Sequence, residues 1–158
     1  MARALTLVEL RRGTTADLPA VDHIMREAFD PRYGEAWTRG QCLGIMAMPG
    51  VWLVLAMVDG EAAGFSLSRQ VADEVELLLL ATAPDHRRRG VGRALVNAVI
   101  SGAREQGATR VHLEVRSGND AVKLYTETGF AKVGERRGYY RGSQGQAFDA
   151  LTYSRNIA

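Results

Sequence analysis

A largely apolar run from Val75 to Ala83 passes through Pro84 into Arg87-Arg88-Arg89-Gly90-Val91-Gly92-Arg93, and that stretch opens an amphipathic segment running to about Gln106. Strand, glycine-containing basic loop and helix, in that order, constrain the fold more than any other feature. The helix must bury its apolar face, and the sheet that the strand enters is the surface available to it. Val91, Ala94, Leu95, Ala98, Val99 and Gly102 recur at helical spacing and predict that face. The loop has the makings of an anion site. The first backbone N–H groups of a helix lack internal partners, and the helix dipole makes that end positive. Gly90 and Gly92 have no Cβ to hold a phosphate off the backbone, and the arginines add forked donors. The spacing is neither Gly-x-x-x-x-Gly-Lys nor Gly-x-Gly-x-x-Gly, which excludes the common nucleotide-binding loops of those patterns. A solvated basic turn is the other reading of the same residues.

The remaining chain reads in order as short elements. Leu5–Leu10 is a first strand, and Thr14 to Asp17 starts a helix with Leu18, Val21, Met25 and Phe29 on one face. Asp30-Pro31-Arg32-Tyr33-Gly34 breaks it, and Trp37 to Met48 is a second, less regular helix. Val51–Val58 and Ala62–Val71 are strands joined by the Asp59-Gly60 hairpin signal, and Glu74–Ala83 is the central strand. After the long helix, Thr109–Val115 is a strand, and Ala121 to Thr128 a short helix stopped by Gly129. Phe130–Tyr140 and Ala147–Ser154 are the last two strands. The order β-α-α-β-β-β-α-β-α-β-β predicts an α/β (α+β) mixed sheet with helices on both faces, in one domain over residues 1–158.

Composition narrows the function classes. A net charge of +2 is too mild to argue for nucleic acid, whereas basic residues cluster at 87–89, 93, 136–137 and 141, which points to a local anion. One cysteine, Cys42, excludes an internal disulfide and any two-cysteine metal site, and its expected place is a helix face. His23, His86 and His112 show no metal spacing, so no metal is expected. No apolar run is long enough to span a bilayer, and Met1 to Leu10 has no signal-peptide core. The expectation is a cytoplasmic protein with no membrane partner, as a monomer or weak homodimer.

A second cluster of signals lies downstream. Leu113-Glu114-Val115-Arg116 is followed by Asn119 and by Leu124-Tyr125-Thr126-Glu127-Thr128-Gly129-Phe130. Glu114 lies in a β-rich run that otherwise looks buried, where a carboxylate is costly unless solvated, paired or used. Tyr125 lies on the inner face of its helix. With the basic loop, this pattern resembles the GNAT N-acetyltransferases. More narrowly, with Arg137-Gly138-Tyr139-Tyr140, it resembles the ribosomal-protein alanine N-acetyltransferases of the RimI type. The resemblance implies a mostly antiparallel sheet splayed between its fourth and fifth strands, and acetyl-coenzyme A as cosubstrate. It puts main-chain contacts to the pantetheine arm on Leu80, Ala81 and Thr82, and the pyrophosphate loop on Arg88 to Arg93 with Arg87 beside it. It puts the general base on Glu114, the proton donor on Tyr125, and a residue near the cofactor on Asn119. The implied acceptor is the N-terminal α-amine of a peptide or protein, a ribosomal protein being one candidate. Acetylation of a polyamine, amino acid or antibiotic, and non-catalytic acyl-coenzyme A binding, are the other functions this pattern allows.

The residue types suit amine acetylation. An ammonium has no lone pair, and a peptide α-amine with pKa ~7.7–8.0 is about a tenth neutral at pH 7, so a carboxylate that takes its proton helps. The departing thiolate needs a donor, and a tyrosine hydroxyl can supply one. Other roles stay open on sequence alone. Tyr125 can be a core aromatic, and Glu114 an edge residue paired with Arg110, Arg116 or His112. Glu74 and Glu76 are rival bases on the central strand. Tyr139, Tyr140 and Arg141 either line an acceptor channel or simply continue a strand. Asp30 and Glu35 can attract a cationic N-terminus or serve as surface charge.

Overall fold

The structure, a computed structural model, describes residues 6–158. Among the described residues, seven strands form one sheet: β1 (Glu9–Arg12), β2 (Val51–Val58), β3 (Glu61–Val71), β4 (Glu74–Thr82), β5 (Arg110–Arg116), β6 (Ala131–Arg141) and β7 (Ala147–Asn156). Four helices accompany them: α1 (Leu18–Ala28), α2 (Arg39–Met46), α3 (Val91–Glu105) and α4 (Ala121–Glu127). The element order matches the one predicted. The first strand does not match in extent: it is Glu9–Arg12 rather than Leu5–Leu10, and Leu5 lies outside the described residues. Its limits follow from pairing with β2, from Glu9 opposite Met57 to Arg12 opposite Val54, and Gly13 N–H continues the ladder to Leu53 O at 2.8 Å.

Helix starts follow side-chain chemistry. Thr14 accepts from Ala16 N–H, and Asp17 accepts from Thr14 N–H, so the chain is turned into α1 before its first apolar residue. Thr38 and Gln41 form the same reciprocal box at α2. Leu18, Val21, Ile24 and Met25 of α1, with Cys42 of α2, bury against Leu53, Leu55, Phe65 and Leu67 on one face of the sheet. Helix α3 covers the other face, but the stripe it buries is rotated from the predicted one. Val91, Leu95 and Val99 are buried as expected, joined by Val96, Ile100 and Ala103, whereas Ala94, Ala98 and Gly102 are only half-buried. The larger side chains take the face toward the sheet because they remove more apolar area from water.

The strand order is β1-β2-β3-β4-β5-β7-β6, and β4–β5 is the parallel pair in an otherwise antiparallel sheet. Two irregularities in it position the site. Leu67 pairs with Leu79 and Ser68 with Leu77, so Leu78 is an extra residue in β4. Val75 and Leu77 before it face α3, whereas Leu79 and Ala81 after it face α1. The β4–β5 ladder also ends at Leu77 opposite Leu113. Beyond that point β4 stays with β3 and β5 with β7, so the sheet opens as a V. Among the described residues, no strand pairs with the β5 side of Leu78–Thr82. None of the described helices is long and apolar enough to cross a membrane.

Candidate active site

A cleft of about 1400 Å³ fills the opening of the V. Its walls are the ends of β4 and β5, the loop leading into α3, helix α4, the segment between α1 and α2, and β6. Leu80, Ala81 and Thr82 all line it.

The basic loop forms because β4 ends at Thr82, Pro84–His86 makes one 3₁₀ turn, and Arg88 and Gly90 take left-handed backbone angles of 63° and 81°. Gly90 is the N-cap of α3 and has no side chain to satisfy the first-turn N–H groups. A Cβ placed there would meet nothing within 4 Å, so the helix end is open. Gly92 also lines the cleft, and its missing Cβ has a second neighbour besides. A Cβ at Gly92 would lie 2.9 Å from Cδ2 of Leu124, so its bareness lets α4 pack against α3. The arginines also divide. Arg87 Nη2 donates to Ala28 O at 3.2 Å, closing the end of α1, and Arg93 pairs with Glu127 at 3.0 Å. Arg87, Arg88 and Arg93 line the cleft with Gly90, Val91 and Gly92, whereas Arg89 is exposed and does not.

Tyr125 is at once a core aromatic and a cleft residue. Its ring is buried and meets Phe130 edge-on at 5.9 Å, yet it lines the cleft. Burial pushes its hydroxyl pKa far above the ordinary tyrosine value, and the nearby Tyr140 and Glu35 push it the same way. Glu114 lies on the β5 face opposite Val111, Leu113 and Val115, and its carboxylate borders the cleft. Strand β5 runs between β4 and β7, but its ladder with β4 stops at Leu113, so Glu114 lies on a locally free edge and pairs through its backbone with Thr152 of β7 alone. None of its three predicted partners takes it. Arg110 and His112 lie 3.6 and 3.9 Å from Glu74, Arg116 pairs with Glu35, and Glu114 instead meets Arg136 of β6 at 3.0 Å. Of the two rival carboxylates, Glu76 lines the cleft and Glu74 does not.

A network that sequence reasoning missed closes the other end. Glu35 Oε1 accepts from Arg116 Nε at 2.9 Å and Oε2 accepts from Asn119 Nδ2 at 2.6 Å. Both charged side chains are about nine-tenths buried, and the Arg116 guanidinium lies 3.6 Å from the centre of the Tyr33 ring. Asn119 also accepts from Ala121 N–H at 2.8 Å, so it starts α4 as well as bordering the cleft. Ser143 N–H donates to Pro31 O at 3.1 Å, and Tyr33 meets Phe148 edge-on at 5.1 Å, which fastens the α1–α2 segment to the β6–β7 hairpin. Tyr139 and Tyr140 of β6 line the cleft. Burial raises the Tyr140 hydroxyl pKa well above its ordinary value, with Glu35 and Glu114 adding to the effect. The arrangement joins an open helix N-terminus, a free strand edge, a buried hydroxyl and a carboxylate in one continuous space.

Known proteins share this architecture. The model of the acetyltransferase (GNAT) family matches residues 18–130. The [ribosomal protein bS18]-alanine N-acetyltransferase of Escherichia coli strain K12 is 32% identical over 142 residues, covering 84% of this chain and 86% of that protein. The N-alpha-acetyltransferase RimI of Mycobacterium tuberculosis is 37% identical over 108 residues, covering 65% and 66%. The crystal structure of the ribosomal-protein-S18-alanine N-acetyltransferase from Escherichia coli superposes with a TM-score of 0.85 at 30% identity, covering 96% of this chain and 95% of that one.

Proposed function

The chain belongs to the acetyltransferase (GNAT) family and is an N-acetyltransferase, and from that premise we propose that acetyl-coenzyme A is its donor and a protein N-terminal α-amine its acceptor. A cytoplasmic ribosomal protein beginning with alanine is the first candidate, by analogy with the relative that acts on bS18. One observation carries the reading: the V between β4 and β5, which joins the open helix end on the α3 face to Glu114 on the opposite face.

The residues fit the donor. Gly90 leaves the first-turn N–H groups of α3 clear for a pyrophosphate, with Arg88 beside them and Arg87 and Arg93 at the rim. The unpaired edge of Leu78–Thr82 offers N–H and C=O groups to the amide-bearing pantetheine arm, and a backbone N–H there can meet the oxygen that gains charge during transfer. Glu114 accepts the ammonium proton, directly or through water, and so frees the amine nitrogen's own lone pair to form the new C–N bond. Tyr125 stays protonated because it is buried, and it donates a hydrogen bond to the sulfur as the C–S bond breaks. Even an unperturbed tyrosine is a weaker acid than a thiol by roughly 2 kcal/mol, so hydrogen bonding leads and proton transfer completes only as the thiolate departs.

Thiol release with a panel of acceptors tests the proposal. Peptides with a free small N-terminal residue, alanine first, should turn over. The same peptides blocked at the N-terminus and carrying an internal lysine should not. Equal turnover of the blocked peptides, or turnover of polyamines alone, rejects the N-terminal acceptor; release with none of them points to an acyl-coenzyme A-binding module.

A further inference from the structure

Tyr139 and Tyr140 are consecutive residues of one strand, and successive side chains in a strand point to opposite faces. Here both line the cleft, and their rings meet edge-on at 5.0 Å and 82°. The reason is a large bulge. Arg136 pairs with Ala150 and Tyr140 with Phe148, so Arg137, Gly138 and Tyr139 together oppose the single residue Asp149. Gly138 takes a φ of 61°, a conformation that side-chain-bearing residues rarely adopt. Its N–H, displaced from the ladder, donates to Asp149 Oδ1 at 2.9 Å. The main-chain oxygen of Asp149 meanwhile accepts from Ser117 N–H at 2.9 Å, just past the end of β5. Asp149 thus ties the bulge in β6 to the strand that carries Glu114.

We infer that Asp149 is a positioning residue for the acceptor: its carboxylate holds Gly138 in the left-handed bulge and thereby keeps both tyrosines on the wall that the acceptor peptide meets. This rests on the proposed N-terminal acceptor. Asp149 itself is exposed and does not line the cleft, so it acts through Gly138 rather than on the substrate. A carboxylate accepting a backbone N–H makes a charge-assisted bond, stronger than a neutral one, whereas an asparagine oxygen keeps the acceptor without the charge.

Steady-state kinetics by thiol release test this on the full chain, with acetyl-coenzyme A and a peptide beginning with free alanine. Asp149→Ala should raise the peptide KM about tenfold, the size of one lost charge-assisted hydrogen bond, with the acetyl-coenzyme A KM close to wild type and the melting temperature lowered by only a few degrees. Asp149→Asn should restore most of the peptide KM. Gly138→Ala, strained at that φ, should reproduce the Asp149→Ala effect without touching Asp149. The inference is overturned by an unchanged peptide KM in Asp149→Ala, by Asp149→Asn failing as fully as Asp149→Ala, or by both substrates' KM values rising together. Lack of wild-type turnover of the peptide would instead overturn the acceptor assignment, and the wild-type control separates the two.

Discussion

Arg136 on β6 reaches across the intervening strand β7 to place its Nε 3.0 Å from Oε1 of Glu114 on β5. The reach is possible because Thr152 and Ala150, the β7 residues beside Glu114 and Arg136, are short. The guanidinium holds one carboxylate oxygen, and under the proposed mechanism the other takes the amine's proton, directly or through water. Glu114→Gln keeps the shape and removes the proposed base. At pH 7 it should lose about 10²–10⁴-fold in kcat with the alanine peptide. Part of the rate should return as pH rises through ~7.7–8.0, where the amine loses its own proton. A pH–rate profile checks this; a profile parallel to wild type would move the base to Glu76.

The two loop glycines predict two different outcomes. Gly90→Val forces a β-branched residue into the left-handed region, at a cost of about 1–2 kcal/mol, and sets a side chain before the open end of α3. Calorimetry should show acetyl-coenzyme A binding lost in a protein that remains folded. Gly92→Ala instead presses on the movable end of the half-buried Leu124 while gaining helix propensity, so stability in urea unfolding should stay within about 1 kcal/mol of wild type. Unchanged affinity in a folded Gly90→Val protein would remove the loop from the donor site.

What the sequence conveyed depended on how local the cause was. Turn residues and hydrophobic period are local, so the element order and most boundaries could be read directly. The bulge at Leu78 could not, because Leu77 to Leu80 is an unbroken leucine run with no alternation to show a change of face. Glu114 and Tyr125 were legible as an unexpected charge and an inward-facing hydroxyl. The pairing of Glu35 with Arg116 was not, since the two are brought together only once the sheet and the α1–α2 segment have folded. Gly92 borders the cleft, and its second use was hidden for a related reason: a glycine that clears space for a ligand and one that clears space for a helix look alike until the neighbouring Leu124 is in place.

Two serines on β3 carry a stability prediction. Ser66 and Ser68 point toward α3, are fully buried, and have hydroxyls without a hydrogen-bond partner among the described residues. A small residue is needed there, as a Cβ at the neighbouring Gly64 would already lie 2.9 Å from Val91 Cγ1. Alanine keeps the size and removes the unpaired hydroxyl. Ser66→Ala and Ser68→Ala should each raise unfolding free energy by about 1 kcal/mol, read from urea midpoints at constant slope. Destabilisation by either would mean that the hydroxyl is satisfied in solution.

Tyr125→Phe removes one oxygen and keeps the ring against Phe130, so it separates the hydroxyl's chemistry from its packing. If the hydroxyl donates to the leaving sulfur, kcat should fall by about 10²-fold or more while the acetyl-coenzyme A Kd changes little. The same substitution has a pH signature in stability. Burial raises the folded-state pKa of Tyr125, whereas the unfolded chain titrates near the ordinary value of ~10. Stability from the neutral phenol is therefore fully present below pH ~10 and is lost as pH rises from there toward the folded-state pKa, because only the unfolded chain ionises in that window. Denaturant unfolding at pH 8 and at pH 11 should show a smaller alkaline loss in Tyr125→Phe than in wild type. Tyr140, raised for the same cause, should behave alike in stability, with its main kinetic effect on the peptide KM. A Tyr125→Phe enzyme within a few-fold of wild type in kcat, but with the alkaline loss reduced, would leave Tyr125 as a buried core aromatic and require another donor for the thiolate.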